Sequence, residues 1–143
     1  MIALAMIVLV TVVPEPIVVH ASADDCAIIV AIRKAQAAWG LKGPNRPFVV
    51  EGQGPDGIIY RQDCDWAASG VGPPEVQKFG EPRPRFAIGR PVYGVGRKTA
   101  EADISFVAWA GRGTVPFMSA EHCTLKRSRG AWRVVKCEQG IIT

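Results

Sequence analysis

No lysine or arginine precedes Arg33, although the 143-residue chain carries 17 of them. Long apolar runs are missing too. Residues 1–13 are apolar apart from Thr11, and Pro14-Glu15-Pro16 ends the run. A membrane-crossing helix needs about 20 apolar residues, so this stretch is too short to span. Cys-x-x-Cys, His-x-x-x-His and Gly-x-Ser-x-Gly are absent, which removes the usual zinc spacings and the nucleophile elbow. Gly94-Val95-Gly96 joins two predicted strands instead of opening a helix, so it is no phosphate loop. No metal or cofactor is expected. Histidine is scarce: beyond residue 23 only His122 remains.

What is present is a short apolar leader ending in Ala21-Ser22-Ala23, the small residues that signal peptidase requires. The reading is a signal peptide over residues 1–23, cut after Ala23, although it lacks the usual positive n-region. An uncleaved anchor or a buried N-terminal strand are the rival readings. Residues 24–143 then form one domain, a size that supports a single core, with no stable membrane span after cleavage and a periplasmic or secreted location. All the basic residues and all but one of the 13 acids follow the cut, leaving about +5. Arg33, Arg46, Arg61, Arg83, Arg97 and Arg112 are scattered as on a generic soluble surface, and only Lys126-Arg127-Ser128-Arg129 forms a cluster. No nucleic-acid reader motif occurs.

Four cysteines, Cys26, Cys64, Cys123 and Cys137, follow the leader. An even count in an exported chain reads as a disulfide framework with three connectivities. Two alternating segments, 123–127 and 131–137, flank a Ser128-Arg129-Gly130 turn. If the hairpin centres near Gly130, Arg127 faces Arg133, Leu125 faces Val135 and Cys123 faces Cys137. Opposed residues on one sheet face have Cβ atoms about 4.5–5.5 Å apart, within disulfide reach after slight adjustment. Cys26 is left for Cys64. The closed loops of about 15 and 39 residues are worth roughly 3 and 4 kcal/mol in the chain-entropy model.

Asp24 or Asp25 is positioned to cap a helix with Ile28, Ile32, Ala35 and Trp39 on one buried face and Gly40 as its stop. Residues 47–51 read as a strand, 52–57 as a turn and 58–61 as its returning partner. Glycine and proline dominate 67–85, which reads as a surface loop or edge segment. Residues 86–93 form a strand with Pro91 at an edge or bulge. Residues 100–110 form the clearest strand, alternating Ala100, Ala102, Ile104, Phe106 and Ala108 with Glu101, Asp103 and Ser105. The fold class is α+β: one N-terminal amphipathic helix packed on a curved antiparallel meander, stapled by disulfides.

The C-terminal pattern is Phe86-x-x-x-x-Pro91, the alternating strand, a glycine turn, then Cys123-x-Leu125-x-Arg127 and Gly130-x-Trp132-x-Val134 before Cys137. It resembles small exported bacterial proteins of unknown function. The resemblance covers about the last 60 residues and implies a curved sheet over a helix, broadly similar to nuclear transport factor 2-like or cystatin-like domains. Such proteins carry a glycine-rich cup where this chain has Arg112-Gly113-Thr114-Val115-Pro116, a departure from the pattern. The resemblance implies no catalytic residues.

Among chemistry-bearing residues, Glu121 and His122 are adjacent on a strand and point to opposite faces, so Glu121 does not orient the imidazole. With Cys123 inward, His122 faces out as a structural histidine. Asp63 and Asp65 flank Cys64 and are best read as capping or turn carboxylates. Trp39, Trp66, Trp109 and Trp132 are first of all packing residues. Trp66 and Trp109, with Arg112 of the glycine turn, are the candidate binding residues. The expected role is that of an exported, non-catalytic domain binding a small ligand or an anionic envelope component. A small secreted hydrolase or isomerase, using Asp63 or Asp65 with His122, is the alternative. A third reading is electrostatic attachment through Lys126, Arg127, Arg129 and Arg133.

Overall fold

The computed structural model describes residues 14–15, 17–38, 48–50, 59–74, 85–108 and 117–140. The chain runs β1 (Val18–His20), α1 (Ala23–Ala38), β2 (Phe48–Val50), β3 (Ile59–Arg61), α2 (Trp66–Ser69), β4 (Arg85–Ile88), β5 (Val92–Tyr93), β6 (Thr99–Ala108), β7 (Phe117–Ser128) and β8 (Ala131–Gly140). A 3-10 turn, Val95–Arg97, lies between β5 and β6. The architecture is mixed helix and sheet, mostly strand, with two disulfides.

α1 begins with a reciprocal cap. The Asp25 N–H donates to Ser22 Oγ at 3.1 Å, and the Ser22 N–H donates to the Asp25 carboxylate at 3.2 Å. Ser22 is therefore the cap in place of Asp24 or Asp25, and Asp25 is the third helical residue answering it. Ile28, Ile29 and Ile32 are fully buried and form one core with Phe86, Ile88, Ala100, Ala102, Ile104, Cys123, Leu125 and Trp132. Burying each isoleucine contributes about 2 kcal/mol. Trp39 and Gly40, assigned to the end of this helix, lie outside the described residues. Arg33, grouped with the surface cations, is fully buried on α1 and its pKa is pushed down by that burial.

The main sheet has the order β2-β4-β6-β7-β8, with β5 also on β6. Its β4-β6-β7-β8 part is antiparallel, as the alternation implied. Two pairings depart from a pure meander. β2 lies parallel to β4, and β3 lies parallel to β1 in a separate two-stranded sheet instead of returning on β2. Parallel neighbours need a crossover of a dozen or more residues. The chain supplies it, with α1 between β1 and β3, and β3 and α2 between β2 and β4. The 67–85 region is more than loop: Asp65 caps the short α2 by accepting the Ala68 N–H at 3.2 Å, and Val71 is buried.

Two bulges tune the sheet. Ile88 pairs with Ile104 and Val92 with Glu101, so Gly89, Arg90 and Pro91 face only two residues of β6. The expected single strand over 86–93 is thereby divided at Pro91. In the last hairpin, Ser128 pairs with Ala131, Arg127 with Trp132 and Leu125 with Val134, around a two-residue turn. Arg129 and Gly130 both take positive φ, 51° and 77°, the conformation such tight hairpin turns need. The expected pairs Arg127–Arg133 and Leu125–Val135 are not formed. A bulge between Thr124 and Leu125 leaves Val135 as the extra residue and brings Cys123 opposite Cys137. Without it that register would set Cys123 against Lys136 and turn Cys137 to the other face.

Both expected disulfides are present: Cys26–Cys64 ties the first turn of α1 to the segment after β3, and Cys123–Cys137 bridges the last hairpin. Such bonds belong to oxidising surroundings.

Candidate functional site

The N-terminus of α1 meets the β4–β5 bulge across an open cleft of about 430 Å³, lined by His20, Ser22, Asp25, Arg90, Pro91, Val92, Tyr93 and Arg97. Each wall follows from local structure already described. β1 delivers His20, the helix cap holds Ser22 and Asp25, and the bulge carries Arg90 and Pro91. The tight turn after β5 presents Arg97, itself at φ 51°.

Asp25 anchors the floor and is only 5% exposed. Its carboxylate accepts the Tyr60 hydroxyl at 2.8 Å, the Tyr93 hydroxyl and the Ser22 N–H. Burial alone would raise its pKa. The hydrogen bonds from Tyr93, Tyr60 and Ser22 together outweigh burial and hold it below the usual carboxylate value. The phenols move the other way. Burial, then the bond to Asp25, pushes Tyr93 up to about 12 and raises Tyr60 still further. At neutral pH the cluster is therefore one buried carboxylate with both phenolic protons committed to it.

The walls are cationic. The Arg90 guanidinium lies 5.7 Å from the centre of the Tyr60 ring, and that of Arg97 lies 3.9 Å from the centre of the Tyr93 ring. Arg97 also faces Asp24 at 3.5 Å, and Arg127 approaches the same oxygen at 3.5 Å. The other Asp24 oxygen accepts the Trp132 Nε1–H at 3.2 Å. Trp132 packs edge-on against Tyr93 with ring centres 5.8 Å apart, joining this cluster to the core. Arg90 has no ion pair among the described residues. His20 is paired with Asp63.

Trp66 sits on α2, partly buried against the core, and does not line the cleft. Trp109 and Arg112 lie outside the described residues. His122 is exposed on β7, where the cross-strand Asp103 carboxylate contacts Nδ1 at 2.7 Å and Glu101 approaches Nε2 at 3.5 Å. The Asp103 bond, against the opposing effect of burial, raises its pKa. Asp63 and Asp65, offered as its catalytic partners, contact His20 and the Ala68 N–H instead. Among the described residues no group of three or more His, Cys, Asp or Glu side chains can hold a metal ion, and no helix is long and apolar enough to cross a membrane.

Asp25, Tyr60, Arg90 and Tyr93 were not legible as a site. Two signals pointed toward them: the Ser22-x-x-Asp25 capping pattern and the fact that the chain has just two tyrosines. Comparison with protein-family models, curated proteins and solved structures returns no match to this chain.

Proposed function

We propose that this is an exported, disulfide-stapled binding domain whose cleft takes a small anionic ligand, one carrying a carboxylate or phosphate group. The observation that carries the reading is the convergence of Arg90 and Arg97 on a cleft whose single lining acid among the described residues, Asp25, is already occupied by two tyrosine hydroxyls. Guanidinium groups recognise such anions with charge-assisted, bidentate hydrogen bonds. Pro91 and Val92 offer a short apolar wall for the rest of the ligand. In this reading α1 on a curved sheet, as in nuclear transport factor 2-like or cystatin-like domains, frames the cleft. The role is binding, because at neutral pH the Asp25 carboxylate is already occupied by two phenols that keep their protons.

Export is supported by the leader pattern and the two disulfides. The bond after Ala23 lies inside the first turn of α1. A cut there would take β1, His20 and Ser22 from the cleft and leave Asp25, Arg90, Tyr93 and Arg97. The anion reading rests on residues that remain in either case.

The test is calorimetric titration with inorganic phosphate and with citrate, on the wild-type protein and on Arg90→Gln. Saturable binding is expected, weakened about ten-fold by the substitution, the loss of one charged hydrogen bond. Equal affinity in the variant, or heat only of dilution for both probes, would overturn the reading.

A further inference from the structure

Beside the cleft, and sharing Arg97 with it, basic side chains crowd one end of the main sheet. The turn at residues 94–98 joins β5 to β6, and Arg129-Gly130 joins β7 to β8. Thr99 pairs with Lys126, and the Arg127 N–H donates to the Lys98 carbonyl at 2.8 Å, so both turns project from the same end. They present Arg97, Lys98, Lys126, Arg127, Arg129 and Arg133, all exposed. Asp24 answers Arg97 and Arg127. Among the described residues no ion pair engages Lys98, Lys126, Arg129 or Arg133.

The arrangement costs the fold stability. Lys126 lies directly opposite Arg133, and like charges so placed repel. Arg129 occupies a positive φ of 51°, where a glycine or asparagine is the easier residue. Among the described residues nothing in the packing of the sheet requires cations at these positions and no acid pairs with them, so their charge is complementary to an anion outside the protein. Shape and apolar surface decide which one. The two turns form the extremity of the sheet, suited to meeting a plane, whereas an anionic thread is held along a groove. Val95, in the first turn beside Arg97 and Lys98, is fully exposed. An apolar side chain flanked in its own turn by Arg97 and Lys98 matches the headgroup–acyl boundary of an anionic bilayer.

We propose that this end of the domain docks on an anionic lipid surface, with Val95 entering the interface and Lys98, Lys126, Arg129 and Arg133 meeting lipid phosphates. The attachment is peripheral and reversible, and it leaves the cleft residue Arg90 outside the contact set.

The test is co-sedimentation with vesicles of phosphatidylcholine alone, or with about a third phosphatidylglycerol, at low and high salt. Binding is expected only to the anionic vesicles, and it is lost in high salt. Lys98→Gln, Lys126→Gln and Arg133→Gln should each lower partitioning about five-fold, the worth of one charge at such a surface. Arg129→Asn removes a charge while easing the backbone, so it should weaken binding without lowering the melting temperature. Val95→Ser, which leaves the charge unchanged, should weaken vesicle binding yet leave binding to soluble polyphosphate unchanged. The proposal is overturned by absence of binding to anionic vesicles, by equal binding to neutral ones, or by full binding of the Val95 or lysine variants. Binding to polyphosphate but not to vesicles, weakened by Lys126→Gln and kept in Arg90→Gln, would assign the patch to a soluble polyanion instead. None of these outcomes depends on Arg90, so failure here is separable from failure of the cleft reading.

Discussion

Substituting asparagine for Asp25 removes the charge on which the floor of the cleft is built. The carboxylate receives the Tyr60 hydroxyl at 2.8 Å, the Tyr93 hydroxyl and the Ser22 N–H. A hydrogen bond to a charged group contributes about 1.5–3 kcal/mol. The amide oxygen of asparagine can still accept, but its NH2 turns toward one of the donors, so about one charged bond is lost. Asp25→Asn should therefore cost about 2–3 kcal/mol at neutral pH, or about 6–12 °C in melting temperature for a chain of this size. The pH dependence supplies the sharper test. Because the Asp25 pKa is depressed in the fold, its contribution is present above the unfolded carboxylate value and lost as pH falls through the folded one. Urea unfolding from pH 7 down to about pH 2 should show the gap between wild type and variant holding to about pH 4 and then narrowing. A gap that stays constant into strong acid would refute the charged-acceptor account. A cost below about 0.5 kcal/mol at neutral pH would refute the network itself.

Three further outcomes rest on side-chain contacts and the disulfides. The phenols should ionise above the usual value of about 10, Tyr93 near 12, by ultraviolet difference absorbance. Since their folded pKa is raised, the stability they confer is complete below about pH 10 and declines as pH climbs through the folded value. Tyr93→Phe should flatten part of that alkaline limb. Replacing Cys26 and Cys64 together with serine should cost about 4 kcal/mol in denaturant unfolding, given their separation of 38 residues, and the unfolded, unreduced wild-type protein should show no free thiol. His122 should titrate above its ordinary value by NMR and fall back toward it in Asp103→Asn. An unchanged midpoint would contradict the cross-strand pairing of the two residues.

Much of the fold was legible because it is governed by local pattern. Ile28 and Ile32 sit at helical spacing and are buried, and Ala100, Ala102 and Ile104 alternate with exposed Glu101 and Asp103 as a half-buried strand requires. The final hairpin shows where local pattern stops. The cysteine pair was inferred from a register centred near Gly130, and the pair is formed. The turn, however, is one residue tighter, and the bulge at Val135 restores the alignment. A one-residue choice between turn types leaves no periodic signature, since either register alternates equally well. The parallel pairings of β1 with β3 and β2 with β4 were invisible for a related reason. Strands of three residues carry too little alternation to name a partner dozens of residues away.

The site was less legible than the fold. Arg33 reads as a surface cation in a list of scattered arginines, yet its place on α1 buries it completely. Arg97 stands in the same list, and the turn after β5 makes it a wall of the cleft. Asp25 looked like the helix cap itself; it is instead the third helical residue answering the Ser22 cap, which places its carboxylate where two distant tyrosines converge.

By itself the sequence determined the leader pattern, the even set of cysteines, an N-terminal helix with Ile28 and Ile32 on its buried face, the long central strand and the closing hairpin. Composition and short-range periodicity encode each of these within a few turns or a single strand pair. Only the tertiary structure decided that His20, Asp25, Tyr60, Arg90, Tyr93 and Arg97 gather at one place. Their meeting depends on a helix cap, a parallel crossover and a bulge acting together, and hydrogen bonds between residues 35 and 68 positions apart leave no trace in local spacing.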